Sequence, residues 1–229
     1  MKLSVVGVGP GDPDLITVKA INVIEKADLV ITPHSKSGRA SVAEMAFRPH
    51  LPEVKTLQMV FSMKGDDDER DRLLLEQLEE NRSQWENAEK IALPVIGDSA
   101  LYATGAYLYD VWKQLVPDLE LELVPGIPAY SLATTLIPSF LVLHDDVLTL
   151  IPASGEIEKI KSTLAVSDTV ALYKPYILRD RLRETVMSCG PWSKIYRIDR
   201  AGLPEQRILT GEEALEKAEE YLSIILLWR

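Results

Sequence analysis

Three short glycine-bearing segments contain the residues of this chain whose types and spacing could do chemistry. The first covers residues 7–13, the second residues 97–102 and the third residues 124–130. Each follows a short apolar run typical of a β-strand and precedes a stretch with helical spacing. Glycine lets a backbone approach a ligand closely, and the first amides of a helix are free to bind a polar group. Three such loops in one chain favour a nucleotide-like ligand.

The first loop lacks the glycine fingerprint of dinucleotide-binding proteins. That fingerprint is Gly-x-Gly-x-x-Gly, and Asp12 stands where the third glycine is required. Pro10, between Gly9 and Gly11, removes an amide donor that a pyrophosphate would need. Taken alone, the loop fits two interpretations equally. It either recognises a ligand by shape and carbonyl groups, or it is a tight turn in which Asp12 or Asp14 stabilises a helix start.

The second loop also leaves two interpretations open. The carboxylate of Asp98 has the chemistry to bind a ribose hydroxyl or an amino group. An aspartate just before a helix is also a common cap, and Asp98 considered alone favours the cap.

Composition narrows the classes of function. The 229 residues are 46% hydrophobic and 26% charged, which is typical of a globular protein, and the formal net charge of −10 argues against sequence-independent binding to a nucleic acid. The longest apolar runs are far shorter than the roughly 18 residues of a membrane span, and the amino terminus does not resemble an export signal. The single Cys189 cannot form an intramolecular disulfide. We therefore expect a cytoplasmic protein with neither a nucleic-acid nor a membrane partner.

The order of the predicted elements indicates an α/β protein. A strand at residues 3–8, the first loop, a helix at 15–27 and a second strand at 29–31 are typical of a parallel sheet. Further strands are predicted at 90–96, 119–124, 148–151, 169–173, 194–198 and 221–228, and helices at 69–88, 101–115, 129–136, 155–164, 177–189 and 211–218.

The pattern of the chain also predicts its domains. Residues 34–68 show no clear periodicity, so we expect an irregular, exposed stretch that ends in a solvated acidic loop at residues 66–68. The pattern of predicted strands and helices differs between the two halves of the sequence. This difference predicts α/β domains at residues 1–116 and 117–229. A junction between two such domains is a common place for a ligand cleft.

Taken together, the three loops resemble those of the tetrapyrrole (corrin/porphyrin) methylase family. Within that family the chain is most similar to the precorrin-2 and cobalt-precorrin-2 C20-methyltransferases, through residues 59–63 and the closing strand at 221–226. The motifs that carry the resemblance are Gly7-x-Gly9-Pro10-Gly11-Asp12-Pro13, Gly97-Asp98-x-x-x-Tyr102 and Val124-Pro125-Gly126-Ile127.

The resemblance implies two α/β domains with a cleft between them, in a homodimer. S-adenosylmethionine would bind in that cleft and leave as S-adenosylhomocysteine, and the acceptor would be a polycarboxylate tetrapyrrole. The residues that the resemblance places at the methyl donor are Pro10, Gly11, Ile96, Gly97, Asp98, Leu101, Tyr102, Pro128, Ala129, Lys174 and Gly202.

Because the formal net charge of the chain is −10, an acceptor with many carboxylates would need basic side chains close to where it binds. Arginine binds carboxylates with two parallel hydrogen bonds, so basic residues are the first candidates. Those predicted at the acceptor are Lys36, Arg39, Arg197 and Arg200, with Thr104 close by. A further group, Arg179, Arg181 and Arg183, fits binding and a solvated helix face equally well.

Methyl transfer from a sulfonium depends mainly on alignment, so the chemistry requires no particular nucleophile. The sequence identifies no catalytic residue, and His34, His50 and His144 have no metal-ligand spacing. Two departures from the family pattern are Ser99, where a proline is usual, and Pro128-Ala129, where small hydroxyl residues are usual. The alternatives are a methylase acting at another ring position or on another acceptor, a non-catalytic binding protein and, as the weakest, an NAD-dependent enzyme.

Overall fold

The computed structural model describes residues 1–34, 41–61 and 66–229. These divide into two compact units, Met1–Pro128 and Ala129–Arg229, and each contains one five-stranded sheet. The division falls after Pro128 rather than after residue 116, because the strand at Glu120–Val124 pairs with the first strand of the chain. The predicted α/β fold class is confirmed.

The first unit has a parallel sheet whose strands end together at one edge. Its strand order is β3-β2-β4-β1-β5, and all four pairings are parallel. The inner strand β1, between β4 and β5, is buried from Leu3 onward, as expected for a strand covered on both faces. The strands are β1 (Lys2–Gly7), β2 (Leu29–His34), β3 (Thr56–Val60), β4 (Lys90–Val95) and β5 (Glu120–Val124).

Helices cover both faces of this sheet. On one face the rings of Trp85 and Trp112 meet edge to face with centroids 5.3 Å apart, and on the other Ile24 and Phe47 are fully buried. Thr17 begins the first helix, since its hydroxyl accepts the N–H of Ala20 at 3.1 Å. The helices are α1 (Val18–Glu25), α2 (Val42–Phe47), α3 (Asp67–Glu80), α4 (Arg82–Trp85) and α5 (Gly105–Leu115).

The prediction of an irregular, exposed stretch at residues 34–68 is wrong for residues 41–61, which the structure describes. Helix α2 and strand β3 lie within it, and Phe47 and Met59 are fully buried. Both elements are too short to show a hydrophobic period in the sequence. The acidic triplet is a helix start rather than a loop, because the carboxylate of Asp66 accepts the N–H of Glu69 at 2.8 Å and the next two aspartates lie in the first turn of α3.

The second unit contains a mixed sheet of order β6-β7-β10-β8-β9. Every residue of the central strand β10 is buried, and apolar clusters pack on both of its faces. Strands β7 and β8 each run antiparallel to β10, so they are parallel to each other and end at the same edge. The strands are β6 (Leu148–Pro152), β7 (Thr169–Tyr173), β8 (Lys194–Asp199), β9 (Arg207–Thr210) and β10 (Ser223–Trp228), and the α-helices are α6 (Ala129–Leu136), α7 (Ile157–Ala165) and α8 (Leu182–Met187).

Cys189 lies in the core of the second unit, with 7% of its surface exposed. Its thiol donates towards the carbonyl oxygens of Thr185, at 3.3 Å, and Lys161, at 3.4 Å. Nearby, the indole N–H of Trp192 donates to the Val186 carbonyl at 2.9 Å. Over the described residues, no helix is both long and apolar enough to cross a bilayer.

Candidate functional site

The three glycine-bearing loops of the sequence meet at one edge of the first sheet. They follow β1, β4 and β5, and these three strands lie side by side and run in the same direction. The register pairs Gly7 with Val95 and Val6 with Val124, so the three strands end at the same level. In open α/β sheets the crevice outside the carboxyl ends of the strands is the usual place for a ligand.

The first two loops are joined by backbone hydrogen bonds. The N–H of Gly97 donates to the carbonyl of Gly9 at 2.7 Å, and the N–H of Gly9 donates back to the carbonyl of Gly97 at 3.2 Å. Both residues have a left-handed backbone, with φ of 79° at Gly9 and 77° at Gly97. Gly11, with φ of 138°, and its neighbour Pro10 are buried. This arrangement depends on glycine, because other residues adopt such φ values only with strain.

The third loop packs against the first two without space for a side chain. A Cβ atom on Gly126 would lie 2.2 Å from the Gly97 carbonyl oxygen and 2.7 Å from the Gly7 carbonyl carbon. A Cβ atom on Gly7 would lie 2.7 Å from the Gly126 nitrogen. The three loops therefore form one backbone cluster, with one glycine from each at its centre.

Asp98 ties the second loop to the third. Its Oδ1 accepts the N–H of Ala100 at 2.8 Å, and its Oδ2 accepts the N–H of Gly126 at 3.0 Å. The first contact is the local turn that the sequence suggested as a cap, and the second joins two loops that are distant in the chain. The carboxylate keeps further acceptor positions, because each oxygen has two lone pairs.

The segment after Asp98 presents partly accessible side chains. Ile96, Leu101 and Thr104 are half-buried, and Tyr102 is 39% exposed. Tyr102 has φ of 53°, and loss of solvation raises the pKa of its hydroxyl. Helix α5 begins after Thr104, whose hydroxyl does not cap it. The predicted helix at 101–115 therefore begins at Gly105, because the left-handed turn at Tyr102 interrupts it.

In the second unit, the predicted site residues lie where strands β7 and β8 end. Lys174 follows β7 directly, and Arg200 follows β8 directly. Both have a left-handed backbone, with φ of 57° and 54°, and Gly202 has φ of 72°. Backbone strain in non-glycine residues concentrates at functional sites. Pro128 and Ala129, at the start of α6, are half-buried.

Arg200 is held by its own loop but is still partly accessible. Its Nε donates to the Pro204 carbonyl at 2.9 Å, and its side chain, 25% exposed, lies 3.8 Å from Glu220 and 3.9 Å from Glu205. The N–H of Gly202 donates to the Gln206 side chain at 2.9 Å. The two predicted residues of this loop therefore lie in one hydrogen-bonded turn.

The burial of Arg197 argues against the predicted acceptor contact. Arg197 and Asp199 are 5% and 1% exposed, and their side chains lie 3.3 Å apart. Arg197 also donates to the carbonyl of Glu216 at 2.6 Å, and Arg207 reaches the other oxygen of Asp199 at 2.9 Å. The guanidinium of Arg197 thus joins β8 to the segment after β9, while Arg207 joins β9 to Asp199.

The remaining predicted basic residues differ in what the structure shows of them. Lys36 and Arg39 lie outside the described residues. Arg183 is exposed and pairs with Glu212 at 2.6 Å, as expected for a solvated face. Among the residues described, no cluster of histidine, cysteine or carboxylate side chains could hold a metal ion.

Sequence reasoning missed an aromatic pair at the edge of the second sheet. The rings of Tyr176 and Tyr221 lie 5.4 Å apart, just after β7 and just before β10. Burial raises the pKa of Tyr176 and Tyr221 adds to that effect, while Tyr221 itself is 48% exposed. No local pattern signals this pair, because the two residues meet only through the pairing of β7 with β10. The buried Arg197 and Asp199 had a signal, since charges two apart on a strand face the same side.

Comparison with known proteins gives consistent matches. A family model described as Tetrapyrrole (Corrin/Porphyrin) Methylases matches residues 2–215. The cobalamin biosynthesis protein CobIJ of Mycobacterium tuberculosis is 27% identical over 97% of this chain, and the chain spans about half, 45%, of that relative's length. A probable cobalt-precorrin-2 C(20)-methyltransferase of Methanocaldococcus jannaschii is 28% identical over 98% of this chain and 94% of its own.

The fold also matches solved structures. The uroporphyrin-III C-methyl transferase from Thermus thermophilus, crystallised with S-adenyl homocysteine, superposes with a TM-score of 0.68 at 19% identity. The match covers 100% of this chain and 98% of that one. At this level of identity the likeness concerns the fold.

Proposed function

Because the chain belongs to the tetrapyrrole (corrin/porphyrin) methylase family, we propose that it transfers a methyl group from S-adenosylmethionine to C20 of precorrin-2 or cobalt-precorrin-2. The structural observation that best supports this activity is the backbone cluster of three loops at the carboxyl ends of β1, β4 and β5. The choice of C20 is supported by the similarity to the Methanocaldococcus relative. A place in cobalamin biosynthesis is supported by the names of that relative and of CobIJ.

The loops of the first unit have the features that a bulky, flexible donor needs. Gly9, Gly11 and Gly97 supply left-handed turns without side chains, so a ligand can contact the main chain directly. Asp98 fixes the second and third loops relative to each other before any ligand binds. Such a preformed site reduces the ordering cost of binding. The proposed donor contacts in this unit are Pro10, Gly11, Ile96, Gly97, Asp98, Leu101, Tyr102 and Pro128.

The donor contacts that we propose in the second unit, as the family resemblance implies, are Ala129, Lys174 and Gly202. S-adenosylmethionine supplies a methyl group on a positively charged sulfur, which is a good leaving group. The task of the protein is then to hold donor and acceptor in line. Arg200 and Thr104 are proposed to hold acceptor carboxylates, together with Lys36 and Arg39. Arg197 is left out of this set because its guanidinium is buried and paired.

For assembly and location, we propose a cytoplasmic homodimer, as the family resemblance implies. Light scattering at micromolar concentration would show twice the mass of one chain, and a monomeric mass would contradict the dimer.

The decisive experiment is a methylation assay with a labelled donor. The full chain is incubated with precorrin-2, and separately with its cobalt complex, in the presence of S-adenosylmethionine carrying a carbon-13 methyl group. Mass spectrometry and carbon NMR then locate the new methyl. We expect a single methyl at C20, and a methyl at another carbon would reject the C20 assignment while supporting a methylase acting elsewhere on the ring.

Donor binding is tested separately by calorimetry with S-adenosylhomocysteine and, for comparison, NADH. We expect binding of the first only, and Asp98→Asn should weaken it about tenfold because the amide replaces one of the two carboxylate acceptors that fix the loops. Asp180→Asn, at an exposed aspartate of the second unit, is the matched control and should not change the affinity. Lack of affinity in the wild type would reject the methylase, and binding without turnover of any tetrapyrrole would favour a binding protein.

A further inference from the structure

A groove on the first unit lies away from the three loops. It has a volume of about 480 Å³ and is bounded by α1 and by the first residues of β1 and β4. Lys2 and Lys90 lie opposite each other at its base, whereas the loops follow Gly7 and Val95 at the far ends of the same strands. Five residues of strand separate the two places by roughly 16 Å.

Four lysines and a single carboxylate line this groove. They are Lys2, Lys19, Lys26, Lys90 and Glu122. Lys2 lies 3.0 Å from Glu122 and Lys19 lies 3.8 Å from it. Within the part of the chain that the structure describes, Lys26 and Lys90 have no carboxylate within 4.0 Å of their ammonium groups. In a chain with a formal net charge of −10, this is a local concentration of positive charge.

Glu122 is ionised and neutralises only one of the four ammonium groups. Hydrogen bonds from Lys2 and from the Ser4 hydroxyl, at 2.9 Å, hold the pKa of Glu122 below its usual range. The groove therefore keeps an excess positive charge at neutral pH. An anion with several charges is the ligand that such an excess favours.

The type of cation indicates the class of anion. Lysine binds phosphate as a point charge, whereas bidentate binding of a carboxylate uses the planar fork of arginine, and none of the described residues that line the groove is an arginine. Val18 and Val23 of α1 give one wall an apolar surface, and Val18 is 77% exposed. We propose that this groove binds a small, multiply phosphorylated anion whose organic part contacts that apolar wall. Its volume lies within the range of small-molecule sites. The site is separate from the proposed methyl-transfer site and does not depend on that function.

The test uses the full chain and inorganic tripolyphosphate, measured by calorimetry at constant ionic strength. We expect the wild type to bind one tripolyphosphate per chain. The double variant Lys26→Gln/Lys90→Gln breaks no observed ion pair and should weaken binding about tenfold, as expected for the loss of two charges near the surface. The matched control, Lys159→Gln/Lys194→Gln, removes two exposed lysines of the second unit and should bind within about twofold of the wild type.

Two further comparisons test the class of anion and the position of the site. Pyrophosphate and citrate each carry about three negative charges at neutral pH, so these two anions are compared directly. Citrate should bind more weakly than pyrophosphate, and equal affinity would overturn the assignment to phosphate. Absence of binding to the wild type, or the same affinity in the groove variant and the wild type, would overturn the site itself. Thermal unfolding of each variant shows that an affinity change is not a loss of fold.

Discussion

The two sheets of this protein carry their predicted site residues in different ways. At the edge of the first sheet, three glycines pack backbone against backbone, and the Asp98 side chain joins the second loop to the third by hydrogen bonds. At the edge of the second sheet, long charged side chains such as Lys174 and Arg200 follow the strands on a left-handed backbone. The first edge therefore depends on the absence of side chains and the second on their presence. Substitution of a glycine at the first edge should change folding and donor binding together, whereas substitution of Arg200 at the second edge should change mainly the affinity for the acceptor.

The largest effect is expected for Gly126→Ala. The new Cβ would lie 2.2 Å from a backbone oxygen that cannot move without disturbing the other two loops. We expect a loss of about 4 kcal/mol in the free energy of unfolding, measured with urea, and loss of S-adenosylhomocysteine binding. Gly155→Ala is the matched control, because the nearest atom to its new Cβ is 3.8 Å away. Equal stability of the two variants would show that the first edge tolerates side chains.

The second largest effect is expected for Asp199→Asn, which tests whether the buried pair of Arg197 and Asp199 stabilises the second unit. Asp199→Asn removes the charge that compensates the buried Arg197. We expect a loss of about 3 kcal/mol, because an unpaired buried charge is costly. Urea unfolding measures it, with the exposed Asp180→Asn as the reference variant. A change below about 0.5 kcal/mol would mean that the pair does not support this unit.

The smallest effect concerns Arg200 and depends on the proposed function. Arg200→Gln should raise KM for the tetrapyrrole about fivefold and leave kcat nearly unchanged, since it removes a contact that is equal in the ground and transition states. Arg183→Gln removes an exposed arginine that is paired with Glu212 and should leave both constants unchanged. A fall in kcat with unchanged KM would assign Arg200 to alignment rather than to acceptor binding.

The sequence predicted well those elements with a strong local signal. The strand, glycine loop and helix at the start of the chain are present, although the α-helix begins at Val18 rather than at residue 15. Two short elements, α2 and β3, were missed because five or six residues contain too little of a hydrophobic period. The predicted helix at 211–218 is only a short 3₁₀ segment, Gly211–Leu215.

What the sequence did not reveal depends on contacts between distant parts of the chain. Asp98 was recognised as a site residue, but its bond to Gly126 requires the parallel pairing of β1 with β4 and β5. Arg197 was assigned to the acceptor because its type fits a carboxylate, whereas its burial follows from its position in a sheet whose edges were not known. Residue type thus indicated which chemistry is available, and only tertiary structure showed which groups are already engaged.

The buried position of Cys189 makes the two units separately measurable. It is the only cysteine of the chain, so a thiol-reactive dye can label the native protein only when the core of the second unit opens. The labelling rate therefore measures how often the core of the second unit opens. Trp85 and Trp112 lie in the core of the first unit, whereas Trp192 and Trp228 belong to the second. In a variant with Trp192→Phe and Trp228→Phe, fluorescence reports on the first unit alone. Comparing its change with the rate of cysteine labelling during urea unfolding would reveal whether the two units unfold together or in succession.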